Sequence, residues 1–181
     1  MKKAILSILL VLILAASANA LSFTDTTGFS KNGTDPSGDL IGYGGKDVNY
    51  LSGTADYVSW QHQFSFNPPV DTIQSALLTL YFSDNEADDK WYKKEYALGW
   101  AESWQADLGE VNTGAYSYNV GVNFLYDGIF KVNVASVFGD FYIVKSDLTI
   151  DYKPVPEPTT MLLLGLGLVG LAGFGRKRFN S

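Results

Sequence analysis

Val58-Ser59-Trp60-Gln61-His62-Gln63-Phe64-Ser65-Phe66 alternates large apolar or aromatic residues with small or polar ones over nine positions. Successive side chains of a strand point to opposite faces, so Val58, Trp60, His62, Phe64 and Phe66 share one face and Ser59, Gln61, Gln63 and Ser65 the other. Asn67-Pro68-Pro69 ends the run, because proline donates no ladder hydrogen bond. The same period recurs downstream. Ala76, Leu78, Leu80 and Phe82 alternate with Ser75, Leu77, Thr79 and Tyr81, and a polar turn follows from Ser83 to Lys90. Tyr116, Tyr118, Val120, Val122 and Phe124 oppose Ser117, Asn119, Gly121 and Asn123, and Asp127-Gly128 reads as a hairpin turn leading into Phe130, Val132 and Val134. Gly139-Asp140 precedes two short runs, Phe141 to Val144 and Leu148 to Tyr152. Six or more strands with one apolar face predict an all-β fold, an antiparallel β-sandwich of jelly-roll-like outline, over residues 57–153.

Leu21 to Asp56 is dominated by Gly, Thr, Ser, Asn and Asp, which predicts a loop-rich N-terminal part with one or two edge strands around Tyr43 and Val48. The 135 residues from Leu21 to Val155 suffice for one core and exclude a large multidomain enzyme. The chain has no cysteine and one histidine, which excludes disulfide scaffolds, thiol nucleophiles, Cys-ligated zinc, iron–sulfur clusters and multi-His metal sites. Between Leu21 and Val155, eight lysines and no arginine face 18 carboxylates, a net charge of −10 that repels a phosphate backbone. Nucleic acid is not an expected partner.

The two ends carry an address. Met1-Lys2-Lys3 is basic, Ala4 to Ala16 is apolar apart from Ser7, and Ala18-Asn19-Ala20 has the small-x-small form of a cleavage site. Residues 1–20 therefore read as a secretory signal peptide cut by signal peptidase after Ala20. At the other end, Asp151 to Pro158 holds three prolines in eight residues, which favours an extended, exposed linker. Thr159 to Gly175 is uncharged and rich in Leu and Gly, and Arg176-Lys177-Arg178 follows. Seventeen helical residues span about 25 Å, the short end of a single transmembrane helix. The positive-inside bias keeps the basic triplet cytoplasmic and puts the sandwich outside. Gly165-Leu166-Gly167-Leu168-Val169-Gly170 also spells a dinucleotide fingerprint, but no strand precedes it. Read alone, this end, residues 154–181, is a permanent C-terminal anchor or a buried core helix, and the core helix is disfavoured because nothing polar faces away from the core and the following cations would have to be desolvated.

The order Pro156-Glu157-Pro158, short Gly/Leu-rich span, Arg176-Lys177-Arg178 resembles the PEP-CTERM sorting signal of bacterial surface proteins. That resemblance implies a Gram-negative, exopolysaccharide-making source and a membrane-embedded cysteine transpeptidase, exosortase, that cuts near the Pro-Glu-Pro and passes the protein toward the cell surface. Pro156, Glu157 and Pro158 are then the recognised motif, Thr159 to Phe174 a transient inner-membrane anchor, and Arg176, Lys177 and Arg178 the stop. Tyr57 to Tyr152 is similar to a β-sandwich domain often found before this tail, through Trp60 to Phe66, Ser75 to Leu80, Asp84 to Asp89, and Gly139-Asp140-Phe141 with Ser146, Leu148, Ile150 and Tyr152. It implies a fold and no activity.

Candidate chemistry is sparse. Asp84, Asn85, Glu86, Asp88 and Asp89 crowd oxygen ligands of the kind Ca²⁺ takes onto one turn, without the spacing of an EF-hand. Lys90, Lys93 and Lys94 can neutralise the same turn instead, which favours a merely solvated acidic loop over a calcium site. Trp91, Trp100 and Trp104 lie in a less regular stretch and are candidates for stacking on sugar rings, while Trp60 belongs to the core. His62, alternating with apolar residues, is expected as a satisfied interior histidine, since no G-x-S-x-G accompanies it. No enzyme activity is expected. The reading is an exported structural or adhesive sandwich associated with exopolysaccharide; the alternative is a carbohydrate-binding module, with or without Ca²⁺.

Overall fold

The computed structural model describes residues 20–36, 39–84, 94–102, 104–155 and 164–170, with the backbone alone for 104–108. Among these, eleven strands follow in chain order: β1 Leu21–Ser30, β2 Gly33–Asp35, β3 Leu40–Tyr43, β4 Tyr50–Ser52, β5 Tyr57–Gln63, β6 Val70–Ser83, β7 Tyr96–Ala101, β8 Trp104–Glu110, β9 Gly114–Asn119, β10 Ile129–Phe138 and β11 Asp140–Pro154. They form two sheets with every pairing antiparallel. The first runs β2-β1-β11-β6-β9, with β4 also paired to β11, and the second runs β3-β5-β10-β7-β8.

The period-two pattern decides which face is buried. From the first sheet, Ala76, Leu78, Leu80 and Phe82 on β6 and Phe141, Ile143, Leu148 and Ile150 on β11 point inward. They meet Val58 and Trp60 on β5 and Phe130, Val132 and Val134 on β10 of the second sheet. This is the sandwich expected from the sequence. Phe29 meets the fully buried Trp60 edge-to-face at 4.9 Å, and Phe82 meets Phe141 likewise at 5.4 Å, the favoured geometry for paired rings.

Four sequence expectations are changed in detail. Residues 21–56 contribute four strands, and β1 lies inside the first sheet, paired with β11 from Leu21↔Tyr152 to Gly28↔Lys145. Its alternation is real, but two inward positions are polar, Asp25 and Thr27, and so masked the pattern. Only β3 is the anticipated edge strand at Tyr43; Val48 is buried outside any strand.

The runs Phe141–Val144 and Leu148–Tyr152 are one fifteen-residue strand, interrupted by a bulge between Ile143 and Lys145 that leaves Val144 outside. A bulge shifts the alternation by one residue, which is why the sequence reads as two strands. The stretch holding Trp100 and Trp104 is an antiparallel pair, β7 with β8.

Asp127-Gly128 does not join hairpin partners: β9 pairs with β6 in one sheet and β10 with β5 and β7 in the other. The chain crosses between sheets through a 3₁₀ turn at Val122–Phe124. Gly128 has φ +78°, and a Cβ there would lie 2.7 Å from the Phe64 carbonyl oxygen, so the crossover requires glycine.

Candidate functional site

Three inward positions of the first sheet carry polar groups where the core is otherwise apolar. They are Asp25 and Thr27 on β1 and Ser146 on β11; Asp25 and Ser146 face His62 on β5. Asp25 Oδ2 lies 2.8 Å from His62 Nδ1, and Ser146 Oγ lies 2.9 Å from His62 Nε2. Trp60 Nε1 donates to the same Nε2 at 3.4 Å. A nitrogen receiving that N–H is an acceptor, so the proton sits on Nδ1 and is donated to Asp25.

The connectivity Asp-His-Ser is that of a catalytic triad, which is recognised by geometry and roles. The environment denies it that role. Ser146 and His62 are both 0% exposed, deep between the sheets, and the Trp60 N–H competes for the nitrogen that would serve as base. The array is an inter-sheet polar clasp. His62 is thus the satisfied interior histidine read from the sequence, though its partners Asp25 and Ser146 were not foreseen; the signal was a carboxylate at an inward position of an alternating strand.

Asp39 completes the cluster. Burial, and after it the like charge of Asp25, holds its carboxyl above the ordinary 3.8, against the opposing pull of His62 and of the Thr27 hydroxyl. The Thr27 hydroxyl meets no strict hydrogen-bond geometry itself. A carboxyl whose pKa is raised by folding holds its proton more tightly folded than unfolded, so its contribution to stability falls as pH climbs from 3.8 through the raised value. Asp147 works the other way. Burial raises it, but hydrogen bonds from Lys145 at 2.7 Å and Thr26 at 2.8 Å outweigh this and hold it low, so its contribution is lost as pH falls below 3.8. Asp39→Asn removes the first dependence and keeps the second. Its stability advantage over the parent, measured by urea unfolding, is therefore expected to be larger at pH 7 than below pH 3.8; an advantage independent of pH would show that folding does not raise the pKa of Asp39.

The outer face of the second sheet holds a groove of about 390 Å³, lined by Ile41, Gly42, Ala55, Tyr57, Ser59, Trp100, Asn133 and Ala135. Register explains its shape. Asn133 on β10 stands opposite Ser59 on β5 and Trp100 on β7, and Ala135 stands opposite Tyr57. Small residues on β10 and β5 form the floor, with Tyr57 on one side and Trp100 on the other. Ile41 is the extra residue of a bulge between Leu40 and Gly42. The Tyr57 ring lies against Gly44, where an added Cβ would fall 2.4 Å from Cε1. Only glycine permits that approach.

Of the three tryptophans singled out for sugar stacking, the structure brings Trp100 to this groove. Trp91 lies outside the described residues, and of Trp104 only the backbone is described, paired with Ala101. Ile41, Tyr57, Ser59 and Asn133 were missed. Their signal was the face opposite the core on β5, where Ser59, Gln61 and Gln63 are polar without charge.

Of the acidic turn, Asp84 is described, its N–H donating to Thr113 Oγ1 at 2.9 Å; Asn85, Glu86, Asp88 and Asp89 lie outside the described residues. Ala18, Pro156, Glu157, Pro158, Arg176, Lys177 and Arg178 do as well, while Ala20 is described and exposed. Residues 164–170 are helical, and no helix among the described residues is long and apolar enough to cross a membrane. β11 ends at Pro154, and Val155 N donates to the Pro69 carbonyl at 2.8 Å as the chain leaves the sandwich.

Residues 154–178 match the PEP-CTERM protein-sorting motif. The chain therefore carries an export-sorting signal processed by exosortase and is an exported protein with a C-terminal membrane-anchoring signal. None of the curated proteins compared matches it. Similar solved structures include the GH26-CBM35 β-(1,4)-mannanase of Podospora anserina, at 14% identity over 78% of this chain and 29% of that one, with a TM-score of 0.37. The CBM36-1 domain of a multidomain xylanase from the hindgut metagenome of Trinervitermes trinervoides is 13% identical over 71% of this chain and 96% of that one, TM-score 0.37. The C-terminal CBM6 of a marine laminarinase from Zobellia galactanivorans is 14% identical over 72% and 99%, TM-score 0.35. The chain thus spans less than a third of the mannanase's length.

Proposed function

We propose that this protein works outside a Gram-negative cell as a structural or adhesive component of the surface or exopolysaccharide matrix, freed from its leader by signal peptidase and from its tail by exosortase. The observation that carries the reading is where the sorting motif begins: at Pro154, the last residue of β11. Among the described residues, a cut at or after Pro156-Glu157-Pro158 removes no strand and no core side chain, so the sandwich keeps all eleven of its strands through processing. An extended proline-rich strip also has no internal hydrogen bonds to break on entering a transpeptidase cleft.

The test is mass spectrometry of the mature C-terminus from cells with and without the transpeptidase. Chains ending near Pro158 are expected in the first and chains running to Ser181 in the second; an intact tail in both would make 154–181 a permanent anchor.

A second reading, carbohydrate binding, is favoured by the Tyr57–Trp100 groove. In its calcium-dependent form the turn from Asp84 to Asp89 holds the ion. Added Ca²⁺ then raises the melting temperature, and the triple change Asp84→Asn, Asp88→Asn, Asp89→Asn abolishes the rise. No shift in the parent protein would retire the calcium site.

A further inference from the structure

We propose that the groove on the outer face of the second sheet binds an internal segment of an uncharged polysaccharide chain, held between the rings of Tyr57 and Trp100. This deepens the second reading above, carbohydrate binding, and rests on it. Tyr57 is 40% exposed and Trp100 half-buried, so both rings offer surface to a ligand while remaining anchored in their strands. The floor between them supplies short neutral hydrogen-bonding groups: the Ser59 hydroxyl and the Asn133 amide. Asn133 Nδ2 donates to the Trp100 carbonyl at 3.4 Å, which fixes the amide and leaves its oxygen facing no partner among the described residues. Pyranose rings present apolar C–H faces and equatorial hydroxyls, so aromatic walls with a hydroxyl-and-amide floor complement them on both counts.

Charge selects the class of glycan. In a domain with ten net negative charges, the groove lining contains no charged residue. An acidic polysaccharide would meet the repulsion of the domain and find no cation in the groove to offset it; a neutral chain meets no such penalty. The shape selects a chain over a single sugar. The groove is open to solvent, and at Ala55 it adjoins a second, more polar depression of about 460 Å³ bordered by Gly44, Tyr50 and Ser52, where the one cation, Lys46, is set against two carboxylates, Asp47 and Asp56, so that no net positive charge is offered there either. Beyond Ser59, Gln61 and Gln63 continue the polar row along β5, with the exposed Lys131 of β10 opposite Gln61. A polymer lying along the strands therefore meets hydrogen-bonding groups past both ends of the aromatic pair.

The pair is also preorganised. The Tyr57 ring is seated against the Gly44 backbone, and Gly44 N donates to the Tyr57 carbonyl at 2.8 Å. Little freedom is lost when a ligand arrives.

The experiment uses the detergent-solubilised full-length chain. Dextran, pullulan and cello-oligosaccharides serve as neutral probes, alginate and hyaluronan as acidic ones, with intrinsic fluorescence and calorimetry as readouts. At least one neutral glycan is expected to bind. Trp100→Ala and Tyr57→Ala should each weaken that binding about tenfold or more, the loss typical of an aromatic anchor. Asn133→Asp, which changes charge at nearly constant volume, should do the same, with the melting temperature of each variant showing that it is folded. Glycan binding that survives all three variants places the site elsewhere: the groove inference fails and the carbohydrate-binding reading stands. A parent chain that binds no glycan overturns the groove inference and the carbohydrate-binding reading together. Binding of the acidic probes alone overturns the neutral class, and a dimer in sedimentation that Trp100→Ala dissociates makes the groove a self-interface and overturns the proposal.

Discussion

Trp60→Ala is expected to cost about 3–5 kcal/mol, the range for removing a large buried ring, out of a total near 5–15 kcal/mol for a domain of this size. Trp60 is fully buried on β5 and meets Phe29 edge-to-face, so it joins the two sheets at the centre of the sandwich. It also donates to His62 Nε2, so its loss loosens the only polar contact described between β5 and Ser146. Trp60→Phe separates the two contributions. It keeps a ring against Phe29 and loses the N–H, and because that bond is long at 3.4 Å the cost should be well below that of alanine. Urea unfolding of the three proteins measures the differences directly. A Trp60→Ala midpoint close to the parent's would mean that the sheets are not held together through this residue.

The same region shows how far the sequence could be read. Wherever most inward positions are apolar, as on β5, β6 and β10, alternation identified strand, face and core residues together. β1 obeys the same period, but Asp25 and Thr27 sit where hydrophobic residues were sought. Asp25 is inward because a partner across the sandwich, His62, satisfies it, and a partner in another sheet leaves no local trace in the chain. The bulge after Ile143 failed for a related reason: one inserted residue inverts the alternation, and the ladder that reveals it belongs to β6. The groove was half legible. Trp100 was a candidate by residue type, but its companion Tyr57 lies more than 40 residues earlier, and only the register through Asn133 and Ala135 brings the two to one site.

Truncation after Val155 is expected to leave the thermal transition of the sandwich in place and to abolish delivery to the cell exterior, whereas truncation after Lys145 is expected to abolish the transition itself. The first cut falls beyond the last strand and keeps the Val155–Pro69 hydrogen bond. The second removes nine residues of β11, a strand flanked by β1 on one side and β6 on the other, and with them the buried Ser146, Leu148, Ile150 and Tyr152. Deleting even one buried leucine or isoleucine side chain costs about 2–5 kcal/mol, so losing this segment exceeds what a domain of this size has to lose. β1 and β6 would also be left with unpaired edges, which template aggregation. Circular dichroism of the two truncated chains, together with immunoblots of membrane, periplasmic and extracellular fractions, reads folding and delivery separately. Undiminished extracellular protein after truncation at Val155 would mean that the tail does not direct sorting. A cooperative transition after truncation at Lys145 would mean that β11 is not the strand that closes the fold. With both expected results, folding and address divide between Val155 and Pro156: the sandwich is complete before the sorting enzyme acts, and nothing the enzyme removes contributes to its stability.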